Sequence, residues 1–221
     1  MSKTPEDIDE VVRRLKKAYP DHRVALDHGN ALELLVATIL SAQCTDVRVN
    51  QVTRELFKKY KSAADYLKVT QEELENDIRP TGFFRNKARS IRGACEVIIN
   101  RHGGEVPDTM EELVKLPGVG RKTANCVLAN FFGKAEGIVV DTHVLRLTKL
   151  IGLTKNKDAV KVEQDLMKIV PKKDWIDFSN LLIHNGRKVC KAGRPDCEIC
   201  VIREICDWGK KCCPRKPGTS R

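Results

Sequence analysis

LPGVGRKTANCVLANFF, residues 116–132, decides how the rest of the chain is read. A Pro-Gly-Val-Gly turn runs into a segment with apolar residues at Ala124, Val127, Leu128 and Phe131, the spacing of one helix face. That spacing predicts a helix beginning near Val119 or Gly120. Arg121 and Lys122 then fall in its first turn, where the helix dipole is positive and cations are disfavoured. Gly118 and Gly120 permit a tight turn whose backbone N–H groups point outward beside the helix N-terminus, a nest suited to an anion. Thr109 and Glu112 form a capping-box pattern that opens a preceding helix over 109–116. Helix, glycine turn and helix make a helix–hairpin–helix, which grips phosphate without reading bases.

The surrounding chain agrees with a polyanionic partner. Its 221 residues carry a net charge of +10, which favours nucleic acid, and suit one large or two small domains. No apolar run approaches membrane-spanning length. The opening MSKTPEDIDE has neither a secretory apolar core nor an Arg-rich transit pattern, so the expected location is cytoplasmic and nucleoid-associated.

Helical patterning recurs almost everywhere. Ile8, Val11, Val12 and Leu15 share a face, and so do Ile91, Ala94, Cys95 and Ile98. NALELLVATILSA, 30–42, is apolar nearly all round and belongs in a core. Asn185-Gly186 reads as the stop of a helix over 175–184. No strand alternation persists, so the expected fold is all-α, with about ten helices by pattern.

Nine cysteines are unusual for an ordinary cytosolic enzyme, and six of them crowd the last 32 residues. Cys44, Cys95 and Cys126 sit in apolar helical surroundings and read as small buried hydrophobes. Cys190, Cys197, Cys200 and Cys206 form a C-x6-C-x2-C-x5-C array, whose thiolates suit zinc or an iron–sulfur cluster. Structural zinc usually pairs two short knuckles, and this array has one, so its spacing favours a cluster. The adjacent Cys212 and Cys213 read as part of a frayed tail. From Gly186 to Arg221, ten Lys/Arg stand against four Asp/Glu, giving +6 of the chain's +10. Lys191 and Arg194, in the loop between the first two cysteines, are candidates for phosphate contact.

SAQCTD (41–46), GFFRNKA (82–88), LPGVGRKTA (116–124), VDTH (140–143) and the cysteine array, in that order, resemble the endonuclease III family of DNA base-excision glycosylases. The resemblance runs from about Leu32 to Cys206. It implies two helical lobes flanking a cleft: 24–134 with the hairpin, and 1–23 joined to 135–213 with one 4Fe-4S cluster on the four cysteines, followed by a tail, 214–221. It also implies a monomer acting on double-stranded DNA that contains oxidised pyrimidines or abasic sites.

Residue roles follow from the same resemblance. By position alone Lys122 would pair with a phosphate. In the family the matching lysine attacks C1′ of a flipped nucleotide, forms a Schiff base and cuts the strand by β-elimination. A positive helix terminus, neighbouring Arg121 and partial desolvation would each favour the free amine that this chemistry needs. Asp141 reads as a helix N-cap, and its match in the family serves the glycosylase step. His143 is a candidate for the same cleft, with a structural role as the plainer reading. Gln43 and Phe83 match residues that fill the hole left by a flipped base; otherwise they read as a capping amide and a core aromatic.

Two positions depart from the family: Val201 stands where proline is usual, and Phe84 where tyrosine is frequent. Neither touches Lys122 or Asp141, but both bear on lesion preference. A related adenine-mismatch glycosylase lacks the lysine, and thymine-mismatch relatives usually carry tyrosine there. The competing class is a non-enzymatic DNA-binding iron–sulfur damage sensor, which composition and cysteines fit equally well. Lys122 with Asp141 discriminates against it.

Overall fold

Residues 3–212 are described by the computed structural model; Cys213 and the expected tail 214–221 lie outside the described residues. Twelve α-helices and two 3-10 turns follow one another, with no strand among the described residues. The helices are α1 (Pro5–Ala18), α2 (Ala31–Leu40), α3 (Asp46–Lys59), α4 (Ala63–Lys68), α5 (Gln71–Ile78), α6 (Phe84–His102), α7 (Met110–Leu113), α8 (Arg121–Asn130), α9 (Thr142–Ile151), α10 (Ala159–Ile169), α11 (Trp175–Lys188) and α12 (Asp207–Cys212). No described helix is long and apolar enough to cross a membrane.

Local signals start these helices. Thr4 and Asp7 close a reciprocal capping box on α1, and Asn30 caps α2 by accepting from Glu33 N–H at 2.9 Å. α2 ends at Leu40, short of 42, because the chain bends into a turn that accommodates a left-handed residue at Gln43 (φ 54°).

The chain divides into two compact units, Val24–Glu136 and, joined from both ends of the chain, Met1–Arg23 with Gly137–Arg221. In the first unit, α2 to α8 surround a core containing Leu34, Leu35, Leu40, Ile78, Ile91, Ile98 and Leu128. Tyr60 and Tyr66 stack within it, their ring centroids 4.6 Å apart.

In the second unit α1 packs on α11, and α9 packs on α11 and α12. The α1 stripe of Ile8, Val11, Val12 and Leu15 is buried, each residue worth about 1.5–3 kcal/mol. α11 continues to Lys188, through the Asn185-Gly186 pair that reads as a stop in sequence. Long-range contacts explain the difference. Asn185 is buried and accepts a hydrogen bond from the Tyr19 hydroxyl at 3.0 Å. Gly186 lies under His143 of α9, so close that a Cβ there would stand 2.7 Å from the His143 Nδ1. Glycine serves this helix as a packing surface rather than a terminator.

Candidate DNA-contacting elements and cysteine centre

The hairpin is built on α6. Pro117 packs on Gly93, and Gly118 lies against Ser90; a Cβ at Gly118 would come within 2.5 Å of the Ser90 Cβ. Gly118 also has φ +77°, so glycine is required there for both conformation and space. Gly120 differs. Its φ of −87° is open to any residue, and a Cβ there would meet nothing within 4 Å. Gly120 is the N-cap of α8, and no side chain caps that terminus. A helix end without a side-chain cap is the kind that takes an outside acceptor.

Arg121 and Lys122 are the first two residues of α8, and both are exposed. The free chain supplies Lys122 with the helix terminus and a cationic neighbour but no burial, so any desolvation of its amine belongs to a complex. α8 packs against α2, where the Thr38 hydroxyl reaches the Cys126 sulfur at 3.9 Å. Burial pushes the Cys126 thiol above its usual range.

Gln43 and Phe83 are the two non-glycine residues with positive φ among the described residues, at 54° and 48°. Phe83 is 62% exposed, which removes the core-aromatic reading. Such left-handed backbone costs about 1–2 kcal/mol per residue and persists only where surroundings enforce it, commonly at functional sites. Phe84 turns the other way: it packs against the core, with the Arg79 and Arg85 guanidiniums over its ring, 5.2 and 5.7 Å from its centre.

Asp141 caps α9, its Oδ1 accepting from Val144 N–H at 2.8 Å. His143 is half-buried, with its ring against Gly186. Both belong to the second unit, as do Cys190, Cys197, Cys200 and Cys206. Gln43, Phe83, Gly118, Gly120, Arg121 and Lys122 belong to the first.

Cys190, Cys197, Cys200 and Cys206 line a single cavity, walled also by Leu147, Ile151 and Ile202. Among the described residues, no group of three or more His, Cys, Asp or Glu side chains is placed to hold a metal ion. Several donors face the sulfurs. Gly209 N–H reaches Cys206 Sγ at 3.4 Å, and Arg146 Nη1 reaches Cys190 Sγ at 3.5 Å. Burial pushes the Cys200 and Cys206 thiols up, against the pull of nearby N–H groups. Apolar walls, four thiols and inward N–H groups fit a group that brings its own positive charge and holds thiolates apart. A bridge between Cys190 and Pro195 shapes the loop, and α1 holds it through Arg14, which donates to the Val201 carbonyl at 3.1 Å. Lys191 and Arg194 are exposed and line a separate recess with Lys188, Asp196 and Glu198.

Several positioning residues carry no signal in sequence. Ser90 and Gly93 seat the hairpin, and Lys87 reads as one more helix-surface cation although it is only 5% exposed.

Residues 36–172 match the HhH-GPD superfamily of base excision DNA repair proteins. The chain is 50% identical over 206 residues to an endonuclease III of Synechocystis, covering 93% of this chain and 94% of that protein. A structure of a non-covalent endonuclease III–DNA complex superposes with a TM-score of 0.88 at 46% identity, covering 95% of this chain and 98% of that one. A trapped endonuclease III–DNA covalent intermediate matches with the same TM-score of 0.88 and identity of 46%.

Proposed function

Because the chain belongs to the endonuclease III family of the HhH-GPD superfamily, we propose that it removes oxidised pyrimidines from double-stranded DNA and cuts the resulting abasic site, with Lys122 as nucleophile. The chain is a DNA glycosylase and abasic-site lyase of base excision repair, and it acts as a monomer at the nucleoid. The match to the family's lysine carries the assignment of Lys122, and its exposure in the first turn of a helix whose N-terminus no side chain caps supports it. The α8 N–H groups and Arg121 hold a backbone phosphate, and Gly120 lets that phosphate approach the peptide closely.

With DNA seated, the Lys122 amine attacks C1′ of the flipped nucleotide. The C1′–N bond breaks, and the base leaves with the electron pair and takes up a proton. Ring opening gives the Schiff base; loss of a C2′ proton then expels the 3′ phosphate and cuts the strand. Asp141 stabilises positive charge on the sugar with its carboxylate, one oxygen of which is already fixed by the cap. Gln43 and Phe83 fill the vacated stack; their strained backbone and the exposure of Phe83 support that role.

Cys190, Cys197, Cys200 and Cys206 hold one 4Fe-4S cluster, the reading that four thiols on one cavity support. When bound, the cluster ties the loop through iron–sulfur bonds and so presents Lys191 and Arg194 to phosphates.

Borohydride trapping on a thymine glycol duplex tests the reading. A covalent protein–DNA adduct is expected, since a Schiff base reduces to a stable amine. Lys122→Ala should abolish adduct and strand cleavage while DNA binding persists. Asp141→Asn keeps a good cap yet should slow base release, with trapping on a preformed abasic site less affected. No adduct from the unaltered protein on any oxidised-pyrimidine or abasic duplex would leave a DNA-binding damage sensor as the function.

A further inference from the structure

Lys87 is only 5% exposed, and its Nζ donates to two backbone carbonyls, Leu40 O and Thr81 O, each at 2.8 Å. Both acceptors are placed tellingly. Leu40 ends α2, three residues before Gln43, and its carbonyl belongs to a helix end whose last turn holds no basic residue. Thr81 ends the 3-10 turn Arg79–Thr81, two residues before Phe83, and is itself 2% exposed. The backbone N–H of Lys87 also donates to the Phe83 carbonyl at 3.1 Å. One residue therefore grips the Phe83 turn from both sides and the Gln43 turn from its root.

A buried ammonium is costly to desolvate, and methionine would fill the same space without that cost. Burial does weigh against the charge, since desolvation holds the Lys87 amine below its usual range, with the Cys44 thiol beside Gln43 acting in the other direction. Packing alone gives no reason for a cation here. The two carbonyls give one, because each belongs to a turn that must hold a non-glycine residue left-handed.

We infer that Lys87 is a positioning residue that locks the Gln43 and Phe83 turns together, so that both side chains enter a damaged duplex as one preset wedge. This rests on reading Gln43 and Phe83 as hole-filling residues. Lys87 touches no DNA; its effect passes through the two turns, both within the Val24–Glu136 unit. Preset turns matter only where a stack must be filled, so the effect belongs to lesion recognition and not to general affinity.

The test compares Lys87→Met, Phe83→Ala and the double variant on two duplexes, one with a tetrahydrofuran abasic-site analogue and one undamaged, at a temperature where circular dichroism shows each protein folded. Lys87→Met should lower the affinity ratio, abasic over undamaged, by about tenfold, the worth of a charged hydrogen bond. Phe83→Ala should lower it too, and the double variant should fall short of the product of the two single losses, since only the Gln43 turn is then left for the lock to hold. An unchanged ratio in Lys87→Met beside a lowered one in Phe83→Ala overturns the role of Lys87 and leaves the wedge standing. An unchanged ratio in Phe83→Ala removes the wedge reading, and the lock with it. Fully additive losses also overturn the lock. Should Lys87→Met fail to fold, Lys87→Gln decides: it keeps a donor but loses the charge and the reach to both carbonyls, so the ratio should again fall, and an unchanged ratio beside a lowered one in Phe83→Ala would refute the proposal.

Discussion

Gly118 and Gly120 stand two residues apart in one turn, yet alanine should act on them through different physics. At Gly118 (φ +77°) alanine must adopt left-handed backbone, costing about 1–2 kcal/mol. Its Cβ would also sit 2.5 Å from the Ser90 Cβ, and overpacking of that kind costs a further 1–3 kcal/mol or so. Gly118→Ala should therefore destabilise the hairpin unit by about 2–5 kcal/mol, or roughly 8–20 °C at about 4 °C per kcal/mol for a domain of this size. At Gly120 the backbone is ordinary and the space empty, leaving only the poorer N-capping of alanine, about 0.5–1 kcal/mol.

Gly120→Ala should thus melt within about 4 °C of the unaltered protein. It should nonetheless bind duplexes about tenfold more weakly, lesion or none, because the methyl stands where a phosphate must come close. Thermal unfolding followed by circular dichroism gives the stabilities, and fluorescence anisotropy on an undamaged duplex gives the affinities. Ser90→Gly should partly rescue Gly118→Ala by removing the atom that clashes, while the left-handed cost remains. The reasoning fails if Gly120→Ala loses as much stability as Gly118→Ala, or if it binds undamaged DNA as well as the unaltered chain does.

Two further outcomes are expected. Phe83→Gly should unfold later than Phe83→Ala by about 1 kcal/mol, because both remove the exposed ring and only glycine relieves the left-handed backbone; coincident melts would show that the turn relaxes around alanine. Purified protein should be brown, with about four irons and four sulfides per chain, and Cys190→Ser should lose them while Cys212→Ser does not. One tightly bound zinc after anaerobic, iron-replete preparation would refute that assignment.

What sequence revealed and what it concealed divide by range. The α8 start, the Asp141 cap and the Thr109 cap are written in adjacent residues, and the structure shows each of them. Cysteine spacing was enough to put four thiols on one cavity. Features that depend on distant partners were not legible. Asn185-Gly186 carries a stop signal, and only the Tyr19 hydroxyl and the His143 ring explain why α11 runs on. α7 shrinks to Met110–Leu113, where the capping pattern implied a longer helix, because Pro117 and Gly118 bend onto α6. Nothing in GFFRNKA distinguishes Lys87 from its exposed neighbour Arg85; burial under two turns does. Left-handed backbone at Gln43 and Phe83 carries no residue signal at all, since neither type favours it.

The second unit is stitched from the two ends of the chain. Lys3 donates to Asp207 at 2.6 Å and to the Ile205 carbonyl, across more than 200 residues, while the Val24–Glu136 unit is contiguous. On the ribosome, then, the inserted unit has all its partners long before α1 has any. At about 5–20 residues per second, the interval between making Leu15 and making Ile205 is roughly 10–40 s. Throughout it the stripe of Ile8, Val11, Val12 and Leu15 has emerged without the α11 surface that buries it. α1 therefore docks long after it is made, and the nascent chain carries that greasy face in water while the Val24–Glu136 unit folds.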